Sequence, residues 1–158
     1  MGNDLLQKDN IITINDMPPM PEKEAELSMR DRIAEIENQI KSHEQCKCPL
    51  VHYFTDGIYA RVIIMPKGAY ITGKVHKHEH LNVVLSGSVS IVCGTVHGEM
   101  HYKTGDVFIS RPNTKKLLYI HEDTMFMTIH ATDKRIPEEI EEEVTSISYD
   151  VEDHTGMA

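Results

Sequence analysis

The sequence predicts an all-β fold, an antiparallel sandwich or barrel, carried behind one amphipathic helix and flanked by extended arms. Three observations predict it. From Pro49 to about Asp133 the apolar residues recur every second position in short runs. Breakers interrupt those runs at close intervals: Asp56-Gly57, Pro66-Lys67-Gly68, Gly94, Gly98, Gly105-Asp106 and Pro112-Asn113. No helical period occurs between them, which leaves no crossover helices for a parallel sheet.

The elements follow in chain order. Residues 1–20 form a polar arm with one β-prone patch, "NIITIND", closed by the breaker-rich "MPPMP". Alone, such an arm does not repay its ordering entropy. Between about 21 and 45 the spacing turns helical, with Met29, Ile33, Ile36 and Ile40 recurring at intervals of 4, 3 and 4 among charged residues. Ser28 with Asp31 would cap this helix, and Pro21 with the acids after it would start it one or two turns earlier. The narrow apolar stripe suits either the outer wall of the barrel or a coiled-coil-like seam with another subunit.

Residues 49–133 read as roughly nine short strands, among them "LVHYF", "IYARVIIM", "LNVVLSG", "SVSIVCG", "KLLYIH" and "MFMTIHAT". After them, 134–158 is an acidic tail with eight acids against two bases, so most of the formal net charge of −9 lies there. Within it "RIPEEIEEEV" predicts a short helix and "TSISYDV" a strand-like end, with a solvated, frayed terminus as the plainer reading. Both arms are expected to contact other protein chains, because neither has the apolar surface to fold alone and each could add to a strand edge.

Composition narrows the function classes. No stripe of clustered Lys and Arg follows a phosphate backbone, so nucleic acid is not an expected partner. No run approaches the roughly 18 apolar residues of a membrane span, and the start "MGNDLLQKDN" lacks the regions of a signal peptide. A cytosolic protein with reduced thiols is the expectation, since three cysteines, two in "CKC", make no disulfide framework.

The chemistry concentrates in "GKVHKHEHLNVVLSG", Gly73 to Gly87, where His76, His78 and His80 alternate. With the period-two pattern around it, this G-x-x-H-x-x-x-H-x6-G stretch resembles the first motif of the cupins, small conical jelly-roll barrels with metal-binding histidines at the mouth. "HYFTDGIYARVIIMPKGAYITGKVHKHEHLNVVLSGSVSI" and "FISRPNTKKLLYIHEDTMFMTIHAT" resemble, more narrowly, cupin-like proteins carried by tailed bacteriophages, over about Val51 to Glu143. The resemblance implies a cupin-like antiparallel jelly-roll barrel. It also implies a chain of the host cytoplasm or the virion, working as a homo-oligomeric structural or virion-associated component.

Set against the cupin pattern, His80 takes the place of the glutamate and His76 that of the second histidine, while the first histidine's place holds Lys74. The second motif is recognisable in "GDVFISRPNTKK", but its histidine position falls near Lys116-Leu117. His130, with the strand parity of Phe126 and Thr128, could turn into the mouth and complete a set of His76, His80 and His130 for a divalent transition metal. The same residues could instead line a pocket as neutral histidines without metal. Tyr59, Arg61 and Lys74 lie on mouth-side strands and could recognise an anionic small molecule, or serve only packing and surface. His43, Cys46, Cys48 and His52 are of zinc-ligand types, although C-x-C followed by Pro49 lacks the usual reach. Binding and assembly without turnover, metal-dependent catalysis and sequestration of a small anion all remain open at this level.

Overall fold

The computed structural model describes residues 22–93 and 98–149, with side chains from Met29 onward. The polar arm 1–20 and the end of the tail from Asp150 lie outside the described residues. Helix α1 (Glu22–Lys41) is followed by strands β1 (Leu50–Thr55), β2 (Ile58–Met65), β3 (Tyr70–Thr72), β4 (Val75–His76), β5 (His80–Cys93), β6 (Glu99–Lys103), β7 (Val107–Ser110) and β8 (Lys116–Ala131). Helix α2 (Pro137–Val144) and a two-residue strand, β9 (Thr145–Ser146), complete the described chain.

Two long antiparallel strands, β5 and β8, run through the whole barrel. Their outer halves, around His80–Val84 and Phe126–Ala131, join β2, β1 and β7 in one layer; their other halves join β3 and β6 in the second. Here the sequence reading needs correction: "LNVVLSG" and "SVSIVCG" are one strand, as are "KLLYIH" and "MFMTIHAT". Ser86-Gly87 is not a turn but an irregularity, where the β5–β8 register shifts between Val84 and Val89. Such a bulge bends a strand without ending its pairing. Gly87 sits there at φ +103°, and a Cβ on it would lie 2.3 Å from Thr124 Oγ1 and 2.6 Å from the Asp123 carbonyl oxygen.

Alternation assigns the faces. Met65, Val84, Val89, Ile91, Leu118, Ile120 and Phe126 turn inward and form the barrel core. Their neighbours Val92 and Leu117, paired across β5 and β8, turn outward and meet Met29, Ile33 and Ile36 of α1. The helical stripe is thus seated on the barrel wall of its own chain, with about 1.5–3 kcal/mol of favourable transfer for each fully buried apolar side chain. Glu37 of α1 pairs with Lys115, the residue before β8, and supports the same contact. The helix begins at Glu22, ahead of Ser28, in keeping with the earlier of the two start signals.

None of the helices among the described residues packs on the outer side of the other layer. In register across β1, β2, β8, β5 and β7 run Val51, Val62, Met127, Val83 and Val107, and beside them Tyr53, Ala60, Ile129, Leu81 and Ile109.

Helix α2 closes the mouth. Pro137 at its first turn and Glu138 and Glu139 beside the positive end of the helix dipole favour a start there. Ile140 and Val144 are buried against Tyr59 and, partly, Phe54. The acidic segment is therefore docked rather than frayed, and β9 pairs with β4 of the same barrel, so the described part of "TSISYDV" is only two residues of strand and holds to its own chain.

Gly87→Ala is expected to destabilise the fold by about 2–4 kcal/mol, because a left-handed backbone and a clash with fixed main chain act together. Gly105→Ala has the positive φ but open space around its Cβ, and should cost only about 1 kcal/mol. Urea unfolding of the two variants measures the difference; equal losses would contradict the steric account.

Candidate functional site

Three strands bring three histidines to one point. His76 is held by β4 through its amide to the Thr114 carbonyl (2.8 Å) and by its own carbonyl, which accepts from Asn113 N–H (2.7 Å). His80 opens β5 with inward parity, and His130 lies near the end of β8 opposite Tyr59. Ring centroids are 4.2 Å apart for His76–His80, 4.7 Å for His80–His130 and 5.4 Å for His76–His130. One ring nitrogen from each lies within 4.8 Å of the others, and all three residues are buried. His78 is exposed in the bend before β5 and contributes only its carbonyl, which accepts from His80 Nδ1 at 3.2 Å.

That hydrogen bond places the His80 proton on Nδ1 and leaves a lone pair on Nε2. The lone pair is used: Lys116 Nζ donates to it at 3.1 Å. Lys116 shares inward parity with Leu118 and Ile120 and is 6 % exposed. The amino group thus enters the cluster from the stretch where the resemblance puts the histidine of the second cupin motif. Lys74 does not reach the cluster; it extends to Glu141 of α2, 2.7 Å away, and stays half-exposed at the rim. Of the two lysines at ligand places, one is inside the site and one outside. The sequence reading left Lys116 and Leu117 undivided; in β8 the inward residue is Lys116 and the outward one Leu117, while a break at β4 separates Lys74 from any continuous strand.

Burial, then the charge of Lys116, pushes His76 far below the ordinary imidazole range and His80 down to about 3. Burial and then Arg61 push His130 down to about 4. Burial lowers Lys116 to about 8. Near neutral pH the cluster is three neutral imidazoles beside a mostly protonated amine.

The cluster opens on a cavity of about 590 Å³ whose apolar part is made by Ile63, Met65, Ile71, Leu118 and Phe126. Arg61, Lys116, His76 and Thr128 line its polar part. Glu37 and Glu141 also reach it, but each is paired with a lysine. Arg61 and Lys116 take part in none of the ion pairs among the described residues. His76 Nδ1 and Thr128 Oγ1 are buried without a hydrogen-bond partner. Arg61 also faces a second cavity of about 190 Å³ under α2, lined in part by Tyr59, His76 and His130. Tyr59 itself is committed: its hydroxyl bonds His52 Nδ1 at 2.6 Å and its ring packs under α2.

The arrangement decides how a metal would fare. Three neutral imidazoles and the orphaned His76 Nδ1 are of the right chemistry, but an ammonium has no lone pair to offer and repels a divalent cation. The three ring nitrogens are close enough together to share a divalent cation, which would first have to displace Lys116 from His80 Nε2 and would face Arg61 nearby. The other set does not assemble: Cys46 and Cys48 sulfurs lie 3.5 Å apart, while His52 is taken by Tyr59, and the histidine triad is the only metal-type group of three or more among the described residues. Burial, followed by the Cys46 hydrogen bond and charge, raises the Cys48 thiol to about 11, so it stays protonated. No helix among the described residues is long and apolar enough to cross a membrane.

The topology and the inward histidines define a cupin-like, double-stranded β-helix barrel. No family model and no curated protein matches the sequence. Among solved structures, a single-substitution variant of oxalate decarboxylase from Bacillus subtilis aligns with a TM-score of 0.50 at 10 % identity, over 61 % of this chain and 29 % of that one. KdgF from Halomonas sp. aligns at 0.48 and 14 % identity, covering 63 % and 94 % of the two chains. A Klebsiella pneumoniae protein with a double-stranded β-helix domain aligns at 0.48 and 20 %, covering 60 % and 88 %. At these identities the likeness is one of fold.

The histidines set a pH dependence. Neutral in the fold, they protonate near pH 6.5 once unfolded, so unfolding takes up protons below that pH. Stability is full above about pH 6.5 and falls with acid toward the folded values, by up to about 1.4 kcal/mol per pH unit for each histidine. Urea midpoints between pH 7 and 5 should fall, and fall less steeply in His130→Gln; a flat profile in that window would show the imidazoles are not held neutral.

Proposed function

We propose that this cupin-like barrel works by binding, and that it takes a small organic anion, a carboxylate or phosphate head on an apolar body, into the large cavity. One observation carries the reading: the Lys116 amino group is buried where the fold would otherwise place a metal ligand, with one imidazole lone pair as its hydrogen-bond partner. An ammonium has three donors, and burying a charge with so little compensation is unfavourable unless something else meets it. An anionic head meets it, together with Arg61 and the free Thr128 hydroxyl. The apolar walls would hold the body, and the volume lies within the range of roughly 300–1,000 Å³ usual for small-molecule sites. Lys74 serves at the rim through Glu141, and Tyr59 as a wall.

The second reading, a metal-dependent cupin enzyme, is favoured by the convergence of His76, His80 and His130. It requires Lys116 to leave His80 Nε2. The wider role, an oligomeric structural or virion-associated component of the phage type, in host cytoplasm or virion, is supported by the sequence resemblance alone.

Titration with a panel of small carboxylates and phosphate monoesters, read by calorimetry, tests the reading. Binding should be lost in Lys116→Met and in Arg61→Met. Without ligand, Lys116→Met should be more stable than wild type by on the order of 1–3 kcal/mol, since an uncompensated buried charge is gone. Stoichiometric transition metal in protein purified without added salts, lost in His76→Ala and His80→Ala, would replace this reading with the metal one.

A further inference from the structure

We propose that Cys46 and Cys48 form a dithiol site that a small-molecule disulfide of the glutathione class converts reversibly into an intrachain disulfide, and that this oxidation reshapes the wall of the large cavity. The site itself is independent of the anion reading; only its effect on ligand binding rests on that reading. Both thiols are free, with Cys46 exposed and Cys48 half-buried. Their sulfurs meet at 3.5 Å, so an approach of about 1.5 Å brings them to the roughly 2.04 Å of a disulfide bond. The meeting is held from both sides. Gln45 Nε2 donates to the Ile40 and His43 carbonyls, 2.9 Å each, and the Ile64 N–H donates to the Pro49 carbonyl at 3.0 Å. The segment between α1 and β1 is thus tied down before and after the two cysteines.

Exposure sets the order of the reaction. The Cys46 thiolate attacks one sulfur of the incoming disulfide: a bond to Cys46 forms, the small molecule's S–S bond breaks, and one small thiol leaves. The Cys48 thiolate then attacks the Cys46 sulfur, which closes the intrachain bond and releases the second small thiol. Two electrons pass from the two cysteines to the small disulfide, and their two protons end on its two thiol products. Cys48 is suited to the second step. Burial first, then the hydrogen bond and charge of Cys46, hold its thiol protonated; the last two causes vanish once Cys46 is in a mixed disulfide. A ring closed across one intervening residue and exposed on one side belongs to the labile, reversible class of disulfides. The cavity registers the change because Cys48 lines it beside Leu50 and packs against the barrel core, whereas Cys46 lines a separate small hollow with Ile40, His43 and Tyr70. Drawing the Cys48 sulfur toward Cys46 takes it from the cavity wall and loosens the grip on an apolar ligand body.

The test is equilibration of the full chain in buffers of reduced and oxidised glutathione, followed by acid quenching, alkylation of free thiols and mass spectrometry of tryptic peptides. Lys47 lies between the two cysteines, so trypsin cuts there and only the disulfide keeps the two halves joined. Wild type should pass reversibly from two alkylated cysteines to one joined pair of peptides, with Cys93 alkylated throughout. Cys48→Ser should stop at glutathione on Cys46, and Cys46→Ser should form neither product; glutathione gathering on Cys48 instead would overturn the order of attack. Wild-type peptides that stay separate even in fully oxidised glutathione overturn the site, with no variant needed. Calorimetry of the reduced and oxidised chains with the same carboxylates and phosphate monoesters then reads the cavity. Oxidation should weaken binding by about fivefold or more, and by linkage the bound anion should resist oxidation by the same factor. Equal affinity of the two forms overturns the coupling and leaves the dithiol site standing. Binding by neither form overturns the anion reading and the coupling together, while the peptide map still decides the site.

Discussion

The pairing of β5 with β8 is the constraint on which the rest depends. Each strand is long enough to serve both layers, so the barrel closes through two continuous ladders rather than through many short hairpins. The bend that permits this lies where Gly87 packs against the main chain at Asp123 and Thr124, a contact no side chain could share. The same two strands carry His80, Lys116 and His130, and they carry the outward residues under α1 and on the opposite layer. Core, site and surfaces therefore take their positions from one register.

Much of this was legible in the sequence, for physical reasons that also mark where legibility stopped. Alternation assigned inside and outside correctly for Phe126, Thr128 and His130, because a pleated strand imposes period two whatever its partners. The helix from Glu22 was visible, but its seat was not: the stripe of Met29, Ile33 and Ile36 is the same whether it meets Val92 and Leu117 or a second helix. The union of the paired runs into β5 and β8 was hidden because glycine beside serine usually signals a turn, and only the partner strand shows it to be a bulge. The roles of Lys74 and Lys116 were likewise unreadable from spacing, since Lys74 is drawn out by Glu141, a residue 67 positions further on.

The site's electrostatics follow from where the acids are. The acid-rich segment after Arg135 is folded over the mouth as α2, yet Glu141 is paired with Lys74 and Glu143 hydrogen-bonds Thr132. Among the described residues no carboxylate forms an ion pair with Lys116 or Arg61. A strongly acidic chain thus encloses a locally cationic interior, and the burial that keeps three imidazoles neutral also strengthens any charge interaction made beside them.

The ladder partner of His76 has a bearing on how the chain is made. β4 pairs with β9 at Thr145–Ser146, so the first histidine of the cluster is fastened by residues that the ribosome adds after the whole barrel. His80 and Lys116 meet within the pairing of β5 and β8, and α2 and β9 supply the roof from later in the chain. The floor of the cavity and its ceiling therefore come from different parts of the chain, and the cup becomes a closed vessel only once α2 and β9 have joined the barrel.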